Sequence, residues 1–235
     1  FYSAGVQVSN TRTDFAACRL NNTTCSGVST LEVRSGNKNL KPENADTLSF
    51  GVVLQPIRNL TVTVDRWSLK EKGVVGLQGA QNQILFDLLE RQNGRTNPNV
   101  VRLAPVGTQV VGDLAYVQDD YFNLGPRTLR GLDVAVSYTL RNTPLGTFNF
   151  DFAGSKLIKW QQEASDLQAQ LIAANAAGKF GTGIIISQAG SQVKINGNPA
   201  WRLSGNLTWS SGPVSAGVLV THVGPVFDTG PAFIN

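Results

Sequence analysis

The sequence has no methionine, one histidine and two cysteines among its 235 residues. These numbers are too small for a His/Cys zinc site or for a cysteine-rich scaffold. Charged residues make up only 15% of the chain, whereas soluble domains typically have about 25%. Because even position 1 is not methionine, we expect the sequence to be a piece of a longer chain.

Long apolar runs are also missing. No stretch of about 18 apolar residues could form a transmembrane helix, and no signal peptide is recognisable at the start. The net charge of +4 is carried by scattered basic residues, which excludes a nucleic-acid partner. Nothing indicates a cofactor or a metal. A membrane, if one is involved, must therefore be crossed by strands.

Strict alternation of apolar and polar residues predicts three antiparallel hairpins with tight turns. The strand pairs are Leu48 to Leu54 with Leu60 to Val64, Leu132 to Leu140 with Phe148 to Phe152, and Trp201 to Trp209 with Val214 to Val220. The turns between them contain Pro56 to Asn59, Asn142 to Gly146, and Ser210 to Pro213. Such turns are rich in Pro, Gly, Asn and Ser, as tight reversals require.

The connections between these hairpins are long, running roughly from Glu71 to Asp113 and from Gln161 to Asn198. Tyr116 to Leu140 is interpreted as one long strand bent at Asn123 to Pro126, which keeps short turns on one side and long loops on the other. That arrangement is typical of an outer-membrane β-barrel. The alternative is an antiparallel sandwich in a soluble protein, whose strands alternate in the same way.

Three features favour the barrel. The polar faces are mostly small and uncharged, and the connections are longer than those of compact domains. Aromatic residues lie toward strand ends, where an interfacial girdle is expected. The girdle candidates are Trp67, Tyr138, Trp160, Trp201 and Trp209.

Several motifs resemble one family. GNKNLKPENADTLSFGVVLQPIRNLTVTVDRW, from Gly36 to Trp67, resembles the segment of TonB-dependent outer-membrane receptors in which G-N-x-x-L-K-P-E leads into a descending strand and a periplasmic turn. Tyr121 to Tyr138 is similar to the family's aromatic-Asn-x-Gly stretch followed by Gly-x-Asp/Glu on a long bent strand. The strand start at Pro199 to Trp201 and the VGPVFDTG segment, Val223 to Gly230, resemble the last barrel strands.

The resemblance implies an all-β fold, an antiparallel transmembrane barrel segment of about six strands from a roughly 22-stranded barrel. Residues 1–235 would be one partial barrel domain, and we expect no plug, no TonB box and no C-terminal closing strand in it. The whole receptor would take up a scarce nutrient such as a siderophore, metal chelate, cobalamin or oligosaccharide. Its partners would be outer-membrane lipid, the nutrient and, only through the plug, the TonB complex. A surface adhesin and a passive porin remain as alternatives.

Cys18 and Cys25 are expected to form a disulfide across a short loop. No catalytic constellation is recognisable, and we expect no enzyme: Asp119 and Asp120 are neighbours, which on a strand would point to opposite faces. The segments Ala80 to Gln92 and Ala164 to Ala177 have helical patterns, which places short helices inside the long extracellular loops.

The resemblance also implies that ligand contacts come from the extracellular loops and the upper lumen wall. The candidates there are Arg91, Arg95, Arg102, Asp119, Tyr121 and Arg127. A cluster of guanidinium groups would favour an anionic ligand, and an aromatic platform would favour a sugar. The mixed composition of these segments leaves both possibilities open.

Overall fold

The computed structural model describes residues 5–181, 184–186 and 189–228. The last residues of the VGPVFDTG segment, and the expectation of a missing closing strand, therefore lie outside the described residues. The chain divides into two compact units. The sheet unit comprises Ala45–Glu71, Arg127–Gln162 and Ser191–Asn235, and the connecting unit comprises Phe1–Asn44, Lys72–Pro126 and Glu163–Gly190.

Strands greatly outnumber helices in the described residues. In chain order the elements are β1 (Val6–Thr13), α1 (Phe15–Leu20), β2 (Gly27–Arg34), β3 (Asn44–Ile57), β4 (Leu60–Lys72), β5 (Val75–Gly76), α2 (Ala80–Gln92), β6 (Val100–Arg102), β7 (Leu114–Gln118), β8 (Phe122–Asn123), β9 (Arg127–Thr143), β10 (Gly146–Gln162), α3 (Asp166–Ala176), β11 (Gly190–Ser191), β12 (Trp201–Ser211) and β13 (Val214–Val223).

The sheet unit is built from three hairpins. Its main strands lie in the order β13, β12, β10, β9, β4, β3, and the short β11 also pairs with β10. Each hairpin closes through a two-residue turn, and Asn59 and Gly212 adopt φ of 64° and 55°, the left-handed conformation that such turns need. The prediction of six strands in three hairpins is confirmed. Among the described residues the sheet does not close on itself.

Successive side chains of a strand point to opposite sides, so the pairing register divides this sheet into an apolar face and a polar face. Adjacent positions on the apolar face include Val62, Val136, Phe152 and Val220, and next to them Leu60, Tyr138, Phe150, Leu207 and Val218. Many of these side chains are exposed, for example Phe150 at 42% and Val218 at 61%. A contiguous exposed apolar surface marks a face that contacts another protein or a membrane.

The prediction of one bent strand from Tyr116 to Leu140 is wrong. The segment forms three separate strands: β7 pairs with β2 and β6, β8 pairs with β5, and only β9 joins the six-stranded sheet. Gly125 and Pro126 break the chain before β9, and a Cβ at Gly125 would lie 2.7 Å from the Glu163 carbonyl oxygen. Period-two alternation identifies a strand but does not say which neighbour it pairs with.

The connecting unit has its own sheet, in the order β1, β2, β7, β6. β2 and β7 are parallel, while the other two pairs are antiparallel. Helix α2 has the predicted bounds, and α3 spans Asp166–Ala176, slightly less than predicted. Ser165 caps α3 through a capping box with Gln168. Among the described residues, none of the helices is long and apolar enough to cross a membrane.

Buried apolar side chains hold the connecting unit together. One cluster joins the three helices and includes Ala16, Leu88, Leu171 and Phe180. A second lies between α2 and the sheet, with Ile84, Val100 and Val117. The unit is thus a packed body of helices and strands with its own core, whereas the sequence patterns predicted only short helices inside long loops.

Candidate functional site

The polar face of the six-stranded sheet carries rows of small and of hydrogen-bonding side chains. Each row runs across neighbouring strands: Asp65, Asp133, Ser155 and Arg202; then Thr63, Ala135, Ala153, Ser204 and Thr221; then Thr61, Ser137, Asp151 and Asn206. The Ser155 hydroxyl donates to the Asp133 carboxylate at 2.6 Å, and the Ser137 hydroxyl donates to Asp151 at 2.8 Å. Together these residues form a wall of mostly small and polar side chains that water can contact.

Toward the end of the sheet away from the tight turns, this face becomes aromatic. Trp67 lies across Gly131, where an added Cβ would come within 2.2 Å of the indole. Trp160 lies opposite Leu129, and Leu69 lies opposite Leu129 on its other side. We call Trp67, Leu69, Leu129, Leu157 and Trp160 the aromatic patch.

Two of the predicted girdle residues therefore do not lie on the apolar face, where an interfacial girdle would have to be. Tyr138, Trp201 and Trp209 share the apolar face, but Trp67 and Trp160 lie on the polar face. For Trp67 the alternation with Thr63 and Asp65 could have shown this. For Trp160 it could not, because a β-bulge between Leu157 and Lys159 reverses the alternation of β10.

A charged row lies beyond the aromatic patch. Glu71 and Gln162 flank Arg127 on its two neighbouring strands. The Arg127 guanidinium lies 3.5 Å from the Glu71 carboxylate and donates to the Gln162 amide oxygen at 3.2 Å. Arg127 and Glu71 are only partly exposed, with side-chain exposures of 28% and 26%. Of the predicted ligand contacts, Arg127 alone lies in the sheet unit.

Arg102, a second predicted contact, is buried within the connecting unit. Its guanidinium forms two bonds of 2.7 and 2.8 Å to the Asp14 carboxylate and one of 2.9 Å to Asp87. Burial works to lower the pKa of Arg102, but the two carboxylates outweigh it and raise that pKa. With only 6% of its side chain exposed, this guanidinium serves to hold α2, β6 and the start of α1 together.

The other two arginines differ in their accessibility. Arg91 donates to Asp87 at 2.9 Å, the pairing four residues apart on α2 that brings it beside Arg102. Arg95 is 65% exposed and pairs with Glu90 at 2.5 Å, where that hydrogen bond and the mutual charge raise the Arg95 pKa. Asp87 thus binds both Arg91 and Arg102, whereas Arg95 lies just beyond the end of α2.

Asp119 is buried, and its carboxylate binds the backbone just before α2. Its carboxylate accepts bonds from the backbone N–H of Gln78 at 3.1 Å and of Gly79 at 3.0 Å. Burial, opposed by these N–H groups and reinforced by the nearby Glu32 carboxylate, raises the Asp119 pKa to about 6. Tyr121 is 37% exposed. The carboxylate of Asp120, unlike that of Asp119, accepts a hydrogen bond from the Ser35 backbone N–H at 3.1 Å.

Cys18 and Cys25 are joined by a disulfide that closes the turn after α1. Among the described residues no group of His, Cys, Asp and Glu is arranged to hold a metal ion.

The candidate contact surfaces are therefore the half-buried aromatic patch with the Arg127 row in one unit, and the exposed Arg95 and Tyr121 in the other. The aromatic patch was not predicted from the sequence, although the position of Trp67 was readable there. Indole rings beside a guanidinium and an amide can contact the flat or apolar part of a ligand while charged groups orient its polar part.

The chain matches a known protein family. The family model described as "TonB dependent receptor-like, beta-barrel" matches residues 2–234, nearly the entire chain. No curated protein matches the sequence.

Proposed function

Because this chain belongs to the TonB-dependent receptor β-barrel family, we propose that it forms part of the barrel wall of an outer-membrane receptor that takes up a scarce nutrient by TonB-coupled transport. The nutrient would be a siderophore, another metal chelate, cobalamin or an oligosaccharide. The TonB complex would act through a plug domain, which belongs to the whole receptor. The function is transport, with no catalytic step assigned to these residues.

The two-faced sheet is the observation that carries this proposal. One face exposes large apolar side chains such as Phe150, Phe152 and Val220, which lipid can cover. The other face presents hydrogen-bonded Ser, Thr, Asn and Asp side chains, as a water-filled passage requires. A soluble sandwich would instead bury its apolar face against a second sheet.

Ligand contact on this wall is assigned to the aromatic patch and the row of Glu71, Arg127 and Gln162. Arg95 and Tyr121 are the accessible candidates in the connecting unit. Arg91, Arg102 and Asp119 would act indirectly, because their charged groups bind Asp87, Asp14 and backbone N–H groups inside that unit.

The transport proposal is tested in cells that carry the complete gene and in cells that lack it. Uptake of radiolabelled ferric citrate, cyanocobalamin and a maltooligosaccharide is measured with and without a protonophore. We expect gene-dependent uptake of one probe that disappears with the protonophore. Gene-dependent uptake that survives the protonophore would identify a passive porin, and gene-independent uptake of all three probes would contradict transport of these classes.

The ligand contacts are tested with Trp67→Ala and Trp160→Ala in the complete receptor, using whichever probe is taken up. Each substitution should weaken probe binding to whole cells by up to about tenfold, since aromatic stacking typically contributes about 0.5–1.5 kcal/mol. The matched control is Trp209→Ala, because Trp209 lies on the apolar face. Equal losses in all three variants would argue against a contact on the polar face.

A further inference from the structure

The apolar face changes character near the end of the sheet away from the tight turns. Arg66, Leu132, Lys156 and Trp201 form one row across four strands, and Arg130 and Lys159 face each other in the next row. We call Arg66, Arg130, Lys156 and Lys159 the basic belt. Neighbouring strands lie about 4.8 Å apart and successive same-face positions about 7 Å apart, so these four cations share a small area.

The basic belt forms no ion pair in the part of the chain that the structure describes. Among the described residues, no carboxylate lies within ion-pair distance of Arg66, Arg130, Lys156 or Lys159. The acidic residues at the same level, Asp65 and Asp133, point to the polar face. Asp46 of β3 forms no ion pair in the part of the chain that the structure describes. Arg66, Arg130 and Lys159 are exposed.

The belt directly adjoins the apolar rows. The next row toward the tight turns contains Val64, Val134 and Leu203. Lys156 places its ammonium group 4.7 Å from the centre of the Trp201 ring, a cation–π contact on the same face. Trp side chains favour the boundary between hydrocarbon and water, and Lys and Arg extend their charged ends from that boundary toward the headgroups.

We infer that the basic belt and Trp201 form a binding site for phosphate-bearing headgroups of anionic lipid, in the leaflet on the side opposite the tight turns. The inference rests on the proposed function, since it requires the apolar face to lie in a membrane. Four cations that form no ion pair among the described residues, next to an apolar surface, complement a lipid phosphate whose acyl chains cover that surface. Guanidinium and ammonium groups form charge-assisted hydrogen bonds with phosphate oxygens.

The test uses the complete receptor inserted into phosphatidylcholine vesicles with and without phosphatidylglycerol. Lipid retained by the receptor after detergent extraction is identified and counted by native mass spectrometry. Wild type should retain phosphatidylglycerol in preference to phosphatidylcholine. Lys156→Gln/Lys159→Gln should reduce that preference about tenfold, because each cation near an anionic surface contributes measurably.

Two controls make the result specific. Arg58→Gln/Arg141→Gln removes the same charge near the tight turns and should retain the preference. Lys156→Arg/Lys159→Arg keeps the charge and should retain it as well, which separates charge loss from misfolding. Equal retention of both lipids by wild type, or an unchanged preference in the Gln variant, would overturn the inference. Failure of wild type to insert into either vesicle would instead contradict the proposed function.

Discussion

Individual charged residues in the connecting unit act mainly by stabilising the fold. Arg102 occupies the space between Asp14 and Asp87, and all three side chains are at least nine-tenths buried. Removing Arg102 would leave the Asp14 carboxylate without its ion-pair partner and Asp87 with only Arg91, in a poorly solvated site. The sequence left an anionic ligand open for these arginines, but the Arg102 guanidinium binds the carboxylates of Asp14 and Asp87 instead.

Arg102→Gln should therefore destabilise the connecting unit by about 3 kcal/mol. Hydrogen exchange of the α2 backbone amides in the complete receptor, followed by mass spectrometry, should become faster by about two orders of magnitude. Arg95→Gln is the control, since Arg95 is an exposed arginine at the end of the same helix, and exchange should stay as in wild type. Equal exchange rates in wild type and Arg102→Gln would refute a structural role for Arg102.

Asp119 makes the same unit sensitive to pH. Its pKa is about 6 in the folded protein against an ordinary value of 3.8, so the folded state binds the proton more tightly. The stability from this group is fully present below about pH 4 and is lost as the pH rises through about 6. In Asp119→Asn, the free energy of local unfolding measured by hydrogen exchange at α2 should lose this dependence between pH 4 and 7. Parallel pH profiles for wild type and variant would contradict the assignment.

At the scale of the element, one extra residue in β10 changes which side chains of the strand lie on each face of the sheet. The bulge between Leu157 and Lys159 leaves Ile158 without a pairing partner on β9. Beyond it, Trp160 lies on the polar face and Lys159 on the apolar face. The bulge thereby supplies one residue to the aromatic patch and another to the basic belt.

Deleting Ile158 should keep every other pairing between β9 and β10, because that residue is the extra one. Deleting Ser155 should instead shift one side of the strand by a position and exchange its two faces. Heat-modifiable migration of the complete receptor on gels, after extraction from outer-membrane fractions, measures the folded barrel. We expect folded receptor for the Ile158 deletion and a large loss for the Ser155 deletion. If the two deletions reduced folding equally, Ile158 would be required for folding and the prediction would be wrong.

The hairpins were predictable from the sequence because alternation and tight-turn residues are local signals. Helix α2 was predictable for the same reason, with Ile84, Leu85 and Leu88 on one side. The pairing of β7 with β2 was not, since residues 85 positions apart had to meet, for example Glu32 and Val117. The role of Arg102 depends likewise on Asp14, which lies far away in the sequence.

At the scale of the whole molecule, the six-stranded sheet has chemically different ends as well as different faces. The tight turns lie at one end, and the aromatic patch, the Arg127 row and the basic belt lie toward the other. In the family these turns are periplasmic, and the sequence resemblance implied the same orientation here.

The orientation gives a labelling prediction for the complete receptor in whole cells. Leu145→Cys lies in a tight turn and is 68% exposed, whereas Ser191→Cys is a nearly isosteric change at an exposed position near the other end of the hairpins. A membrane-impermeant maleimide should label the Ser191 variant in intact cells and the Leu145 variant only after the outer membrane is opened. The reverse labelling pattern would mean that the sheet is inverted.

The two units are interleaved along the chain, and this has a consequence for folding kinetics. The connecting unit draws on three separate stretches, so the core contacts of Leu171 and Phe180 with Ala16 join residues from the first and the last of them. Contacts between such distant residues form slowly. The connecting unit can become native only after the chain has been synthesised through Phe180, by which time both strands of two hairpins already exist. We therefore expect late acquisition of protease resistance in the connecting unit.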